Sequence, residues 1–189
     1  HNKEKWQYPV IIDNMMNLEL LLWAAKNSED STFKNIAISH ADKTIEHHFR
    51  PDYSSYHVVS YDTITGLPHL KQTHQGYSDE SAWSRGQAWG LYGYTYLYRE
   101  TGEKRYLEQA KNIANFVIHH PNMPDDYIPY WDFNSPDIPN TPRDASAACI
   151  MLSALSELID YVDAIQAKEY INVIEKQIQA LASEQYTAK

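Results

Sequence analysis

Two kinds of helical segment alternate along this chain, and that alternation limits the folds open to it. Asn14 to Lys26 contains MMNLELLLWAA and is apolar on nearly every side, with Glu19 its only charge before Lys26. The next segment, about Thr32 to His48, is amphipathic, with Phe33, Ile36, Ala37, Ala41 and Ile45 on one stripe. The pattern then repeats. Ser84 to Arg99 has no charge between Arg85 and Arg99, and Lys104 to Ile118 carries a stripe of Tyr106, Ala110, Ile113 and Val117. It repeats again in Pro142 to Tyr161, rich in Ala and Leu, and Ala167 to Glu184, with Ile171, Ile174, Ile178, Leu181 and Ala182 on one face. A helix apolar all round is enclosed by protein, whereas an amphipathic one lies outside. The alternation predicts three hairpins of an α/α toroid, inner helices lined by an outer ring.

Local signals support these boundaries. Thr141, Pro142 and Asp144 read as an N-cap, an N1 proline and an acidic N3, and Thr101-Gly102 reads as a short turn between antiparallel neighbours. Gly86, Gly90 and Gly93 weaken the third helix but allow a close approach of backbone or ligand. Three hairpins form only part of a ring, and neither end hairpin has the polar face of a cap. Residues 1–189 are therefore expected to be a single domain that is part of a larger barrel. Two connections, residues 49 to 82 and 119 to 141, far exceed the usual ~2–8 residues between helices. The first contains YHVVSYD, a short strand, and then a TGLP turn.

Composition excludes several functions. A net charge of -9 disfavours nucleic acid, and no apolar run approaches the ~20 residues of a membrane span. HNKEKWQ at the start has no apolar leader segment. Cys149 is the sole cysteine, set in AACIML, and reads as a core filler. The nine histidines include two adjacent pairs, His47-His48 and His119-His120, without metal-ligand spacing, so no metal is expected. No GxSxG, Walker loop or GxGxxG occurs. The 15 Tyr, 5 Trp and 4 Phe suit packing between helices, and equally stacking on sugar rings.

Asp13 follows the apolar run PVII and precedes the first helix. It reads either as an N-cap or as a carboxylic acid at the mouth of the ring. Between His74 and Trp89 lies HQGYSDESAWSRGQAW, the densest polar and aromatic stretch. Arg85 and Trp89 are four apart and share a helix face, with Trp83 just before them. That group could clamp a sugar carboxylate. Alternatively, Arg85 packs on Trp83 or pairs with Asp79 or Glu80.

The blocks PVIIDNMMNLELLLWAA, YHVV, HQGYSDESAWSRGQAWGLYGYTYLYRETG and PRDASAACIMLSALSEL, in that order, resemble the unsaturated glucuronyl hydrolases. The resemblance implies an (α/α)6 barrel and a hydrolase that removes 4,5-unsaturated uronic acid from lyase-generated oligosaccharides. It implies that Asp13 is the general acid/base and that His57, Gln75, Trp83, Arg85 and Trp89 line the sugar pocket. The implied partner is an unsaturated uronyl oligosaccharide, no cofactor is implied, and the expected compartment is a bacterial cytoplasm or periplasm. The family also relies on a second aspartate upstream, and residues 1–12 contain none. Two rivals stay open: an unsaturated rhamnogalacturonyl hydrolase, and a non-catalytic helical carbohydrate-binding module.

Overall fold

A computed structural model describes residues 5–28 and 30–187. In chain order its elements are β1 (Tyr8–Ile11), α1 (Asn14–Ser28), α2 (Ser31–His48), β2 (Val58–Tyr61) and β3 (Pro68–Gln72), followed by α3 (Ser84–Thr101), α4 (Lys104–Ile118), α5 (Ala145–Leu158) and α6 (Ala164–Leu181). A single 3-10 turn, Ile159–Tyr161, separates the last two helices. The protein is thus mostly helical with a small three-stranded sheet, where the sequence suggested helices and one short strand.

The hairpins pack as the alternation predicts. Helix α3 sits centrally against α1 and α5, and each of these three lies against the helix that follows it. Glycines make the α1–α3 contact possible. A Cβ on Gly93 would come within 2.6 Å of the Met15 Cβ and 2.9 Å of the Met15 carbonyl oxygen. At the far end Gly102 adopts φ 69° and donates its N–H to the Tyr98 carbonyl, which terminates α3. The stripe expected on α4, Tyr106, Ala110, Ile113 and Val117, is wholly buried.

Several expectations need correction. Helix α1 buries only Met15, Leu18 and Leu22 and leaves Leu20 67% and Trp23 59% exposed, so it is not enclosed. Helix α5 starts at Ala145, not Pro142, because residues 129–131 pair with the chain entering it. The Trp131 amide donates to the Pro142 carbonyl, and the Asp144 amide donates to the Pro129 carbonyl. Asp144, not Thr141, is the cap. Cys149 is exposed rather than core, on a small-residue side of α5 with exposed Ser146 and Ser153. On α2, Ala37 and Ala41 are buried but Ile36 is half-exposed. On α6 the buried residues are Tyr170, Val173 and Gln177, while Ile171 and Ile178 face outward. The Gln177 amide reaches the Tyr127 carbonyl at 2.9 Å and turns that face inward.

The sheet is antiparallel in the order β1-β2-β3. YHVVSYD supplies β2, buried at all four positions, and its pairing with β3 shifts between Ser60 and Tyr61, next to Pro68. The PVII run, read only as apolar, forms most of β1, with Tyr8 opposite Tyr61 and Ile11 opposite Val58. No described helix is long and apolar enough to cross a membrane.

Candidate active site

Strand pairing brings the first two site residues together. Beyond Ile11 the ladder continues, with the Ile12 amide donating to the His57 carbonyl at 3.0 Å, so His57 arrives beside Asp13. The Oδ2 of Asp13 lies 3.5 Å from Nε2 of His57, with the side chains 15% and 2% exposed. Both atoms are buried, and among the described residues neither has a hydrogen-bond partner. On its other side the His57 Nδ1 accepts the His74 and Gln75 amides, each at 3.0 Å.

Asp13 does not behave as the cap that its position suggests. Asp30, Asp144 and Asp163 each accept the amide of a first-turn residue at the start of α2, α5 and α6. At α1 the Met15 and Met16 amides instead go to the backbone carbonyls of Ile12 and Asp13, both at 3.0 Å. The Asp13 carboxyl is left facing His57.

From the start of α3 the remaining residues join this pair. Trp83 is 4% exposed, and its ring lies 4.6 Å from the His57 ring. The Arg85 guanidinium stands 4.9 Å from the Trp83 ring centre. It donates to Asp144 Oδ2 at 3.1 Å and to Gln75 Oε1 at 3.3 Å. The sequence offered Asp79 or Glu80 as its acid, but both are otherwise engaged. Asp79 accepts the Thr73 amide, and Glu80 lies 3.5 Å from Arg50. Trp89, one turn further along α3, meets Tyr92 edge-on at 5.9 Å, so its ring contact points away from this group.

Asp13, Arg85 and Asp144 stand at the N-terminal ends of α1, α3 and α5, so three helices present the same end here. Those ends carry partial positive charge from aligned peptide dipoles and favour an anion. A cavity of about 650 Å³ opens alongside, lined by Trp6, Pro9, Asn14, His57, His74 and Gln75 among others.

Sequence reasoning missed Asp144, His74 and Trp6 as neighbours of the site. For Asp144 a signal existed: in PRDASAA it precedes Ala147 by three, the spacing of a side-chain cap. For His74 and Trp6, contact across the sheet loop leaves no local trace.

The histidine pairs serve packing. His48 is wholly buried, its Nε2 donates to the Val10 carbonyl, and burial pushes its pKa down to about 3. His119 pairs with Glu169 at 2.9 Å, and His120 packs on Phe133. Among the described residues no group of three or more His, Cys, Asp or Glu is placed to hold a metal ion.

No family model matches the chain. Individual proteins do. An unsaturated glucuronyl hydrolase of Formosa agariphila is 52% identical over 188 residues, covering 100% of this chain and 46% of the relative. A crystal structure of an unsaturated glucuronyl hydrolase specific for heparin superposes with a TM-score of 0.94 and 49% identity, covering 97% of this chain and 49% of that one. An Asp-to-Asn mutant of the Streptococcus agalactiae enzyme, complexed with dGlcA-GalNAc6S, superposes at 0.81 with 31% identity over 95% of this chain and 47% of its own. The chain spans about half the length of the relatives it matches.

Proposed function

The chain belongs among the unsaturated glucuronyl hydrolases as a homologue of about half their length, and on that footing we propose that it is the part of an (α/α)6 toroid that carries their general acid/base. The reaction proposed is removal of a 4,5-unsaturated uronic acid from the non-reducing end of a lyase-generated oligosaccharide. Asp13 delivers a proton to C4 of the C4=C5 enol ether, and water adds at C5, returning a proton to the carboxylate. The hemiketal formed at C5 opens to a ketone and leaves the former ring oxygen as a hydroxyl on C1. This C1 hemiacetal collapses to the aldehyde, which breaks the glycosidic bond and releases the aglycone sugar. One water is consumed, and nothing is oxidised or reduced.

Each neighbour has a part. Arg85 uses two of its five N–H donors on Asp144 and Gln75 and has others for the substrate carboxylate. The three helix N-termini add to that attraction. Trp83 backs the His57 ring, and the edge of His57 and Trp6 line the cavity in which the sugar ring packs. Trp89 is the exception: it lies one turn further along α3, and its ring meets Tyr92 rather than this group.

The single observation that carries the reading is the Asp13 carboxyl itself: held near His57, buried at Oδ2, and not used to cap its helix. In the S. agalactiae complex a homologue holds an unsaturated disaccharide. The test follows the ultraviolet absorbance of the conjugated double bond with unsaturated heparin, chondroitin, hyaluronan and rhamnogalacturonan disaccharides. It uses this chain and a version extended to the relatives' length. Loss of absorbance with a uronyl disaccharide is expected from the extended version. Folded protein of either length that leaves all four substrates intact while still binding them would replace the enzyme with a carbohydrate-binding module.

A further inference from the structure

Nδ1 of His57 accepts two amides, so in the neutral ring the proton resides on Nε2, the atom facing Asp13. This arrangement lasts only while the His74 and Gln75 amides both point at Nδ1. Those residues belong to an exposed loop between β3 and α3, and two consecutive amides converge on one atom only if the loop is held.

Asp132 holds it. Asp132 is 0% exposed, on the other long connection. Its Oδ2 accepts the Tyr77 amide at 2.8 Å and the Ser81 hydroxyl at 2.7 Å, and its Oδ1 accepts the Asn134 amide at 2.9 Å. Between this anchor and His57 the chain has no slack. The Gly76 amide donates to Thr73 Oγ1 at 2.7 Å. A Cβ on Gly76 would lie 2.6 Å from that oxygen, 3.0 Å from Asp132 Oδ2 and 3.1 Å from the Trp83 Cβ. Asp79 secures the other end through the Thr73 amide.

We propose that Asp132 is a positioning residue for the candidate site: it clamps residues 73–77 so that the His74 and Gln75 amides keep the His57 proton on Nε2, directed at the Asp13 carboxyl. A buried aspartate with three hydrogen bonds could serve folding alone. The difference lies in what its loss does to His57. Without the clamp Nδ1 loses its donors, the proton can move there, and Nε2 then presents a lone pair to Asp13 Oδ2, two acceptors face to face. The role in catalysis rests on the reading of Asp13 as acid/base, but the tautomer does not.

The test is ¹⁵N–¹H correlation of the histidine rings in the folded chain, with the His57 signals assigned by their loss in His57→Gln. Wild type is expected to show Nδ1 as an unprotonated nitrogen and Nε2 as the protonated one. Asp132→Asn is expected to give a mixture of tautomers at His57 alone, with His48 and His120 unchanged. Should Asp132→Asn fail to fold, Thr73→Val and Gly76→Ala loosen the same loop with Asp132 intact and are expected to give the same mixture. Tyr106→Phe, which removes a hydrogen bond to Asp42 elsewhere, is the control for general destabilisation. A His57 that stays wholly protonated at Nε2 in every folded loop variant would overturn the proposal. Turnover is read separately, in the extended protein: a tautomer mixture in the loop variants with no turnover in the wild type keeps the clamp and removes the hydrolase.

Discussion

Helices α1 and α3 have nearly the same character in sequence and very different surroundings in the fold. Both are nearly free of charge along their middles, yet α3 buries eleven of its eighteen residues and α1 only three of fifteen. Helix α3 has neighbours on both flanks, α1 and α5, with α4 behind. Helix α1 has α3 and α2, and the face carrying Met16, Leu20 and Trp23 lies open at helical spacing. Periodicity therefore reports how many sides of a helix are suited to cover, not how many are covered. The site lies where the two helices begin, Asp13 ahead of the open one and Arg85 in the enclosed one.

Substitutions in the two helices should separate them. Leu97→Ala in α3, wholly buried, is expected to lose about 2–5 kcal/mol of stability, measured by urea unfolding. Leu20→Ala in α1 is expected to stay within ~0.5 kcal/mol, as on an ordinary surface. Equal losses would mean that α1 is covered in solution.

The strand entering α1 is expected to show its own dependence on pH. His48 ties the end of α2 to Val10 in β1, and burial holds its pKa near 3 against an ordinary 6.5. The unfolded chain binds the proton first, so stability is full above pH 6.5 and falls as pH drops from there towards 3. The slope from this group approaches about 1.4 kcal/mol per unit. Urea midpoints between pH 7 and 4 should therefore fall less steeply in His48→Gln. An unchanged slope would mean that His48 is not held neutral.

A smaller effect probes the seam between the helices. Gly93→Ala would force its Cβ against Met15, and overpacking of this kind costs about 1–3 kcal/mol. Because Met15 follows Asp13 by two residues, turnover of the extended protein should fall along with stability. A destabilised variant with normal turnover would show that the seam does not position Asp13.

How much of this was legible in sequence follows from the range of each signal. Helix α4 was readable to its end residues, because its stripe is regular and its buried face is the only apolar one. Helix α6 was not: its isoleucines suggested one face, but Tyr170 and Gln177 turn inward through contacts made elsewhere in the chain. The start of α5 was misplaced because Thr-Pro-x-Asp resembles a cap, whereas pairing with residues 129–131 keeps Pro142 extended. Within the candidate site, resemblance supplied Asp13, His57, Gln75, Trp83, Arg85 and Trp89; the fold gathers the first five, while the Trp89 ring meets Tyr92 instead. Asp144 bonds to Arg85 across 59 residues and Asp132 to Tyr77 across 55; the cap spacing made Asp144 visible as a cap, but neither long-range bond leaves a local trace.

The measurement that bears most directly on the account is Asp13→Asn, read for stability and turnover together in the extended protein. The geometry predicts that urea stability changes by less than ~0.5 kcal/mol, since no helix amide depends on this carboxyl. Turnover of the preferred unsaturated disaccharide is predicted to fall at least ~10²-fold, as when a general acid/base is removed. A loss of about 1 kcal/mol in stability with normal turnover would contradict it and make Asp13 a helix cap.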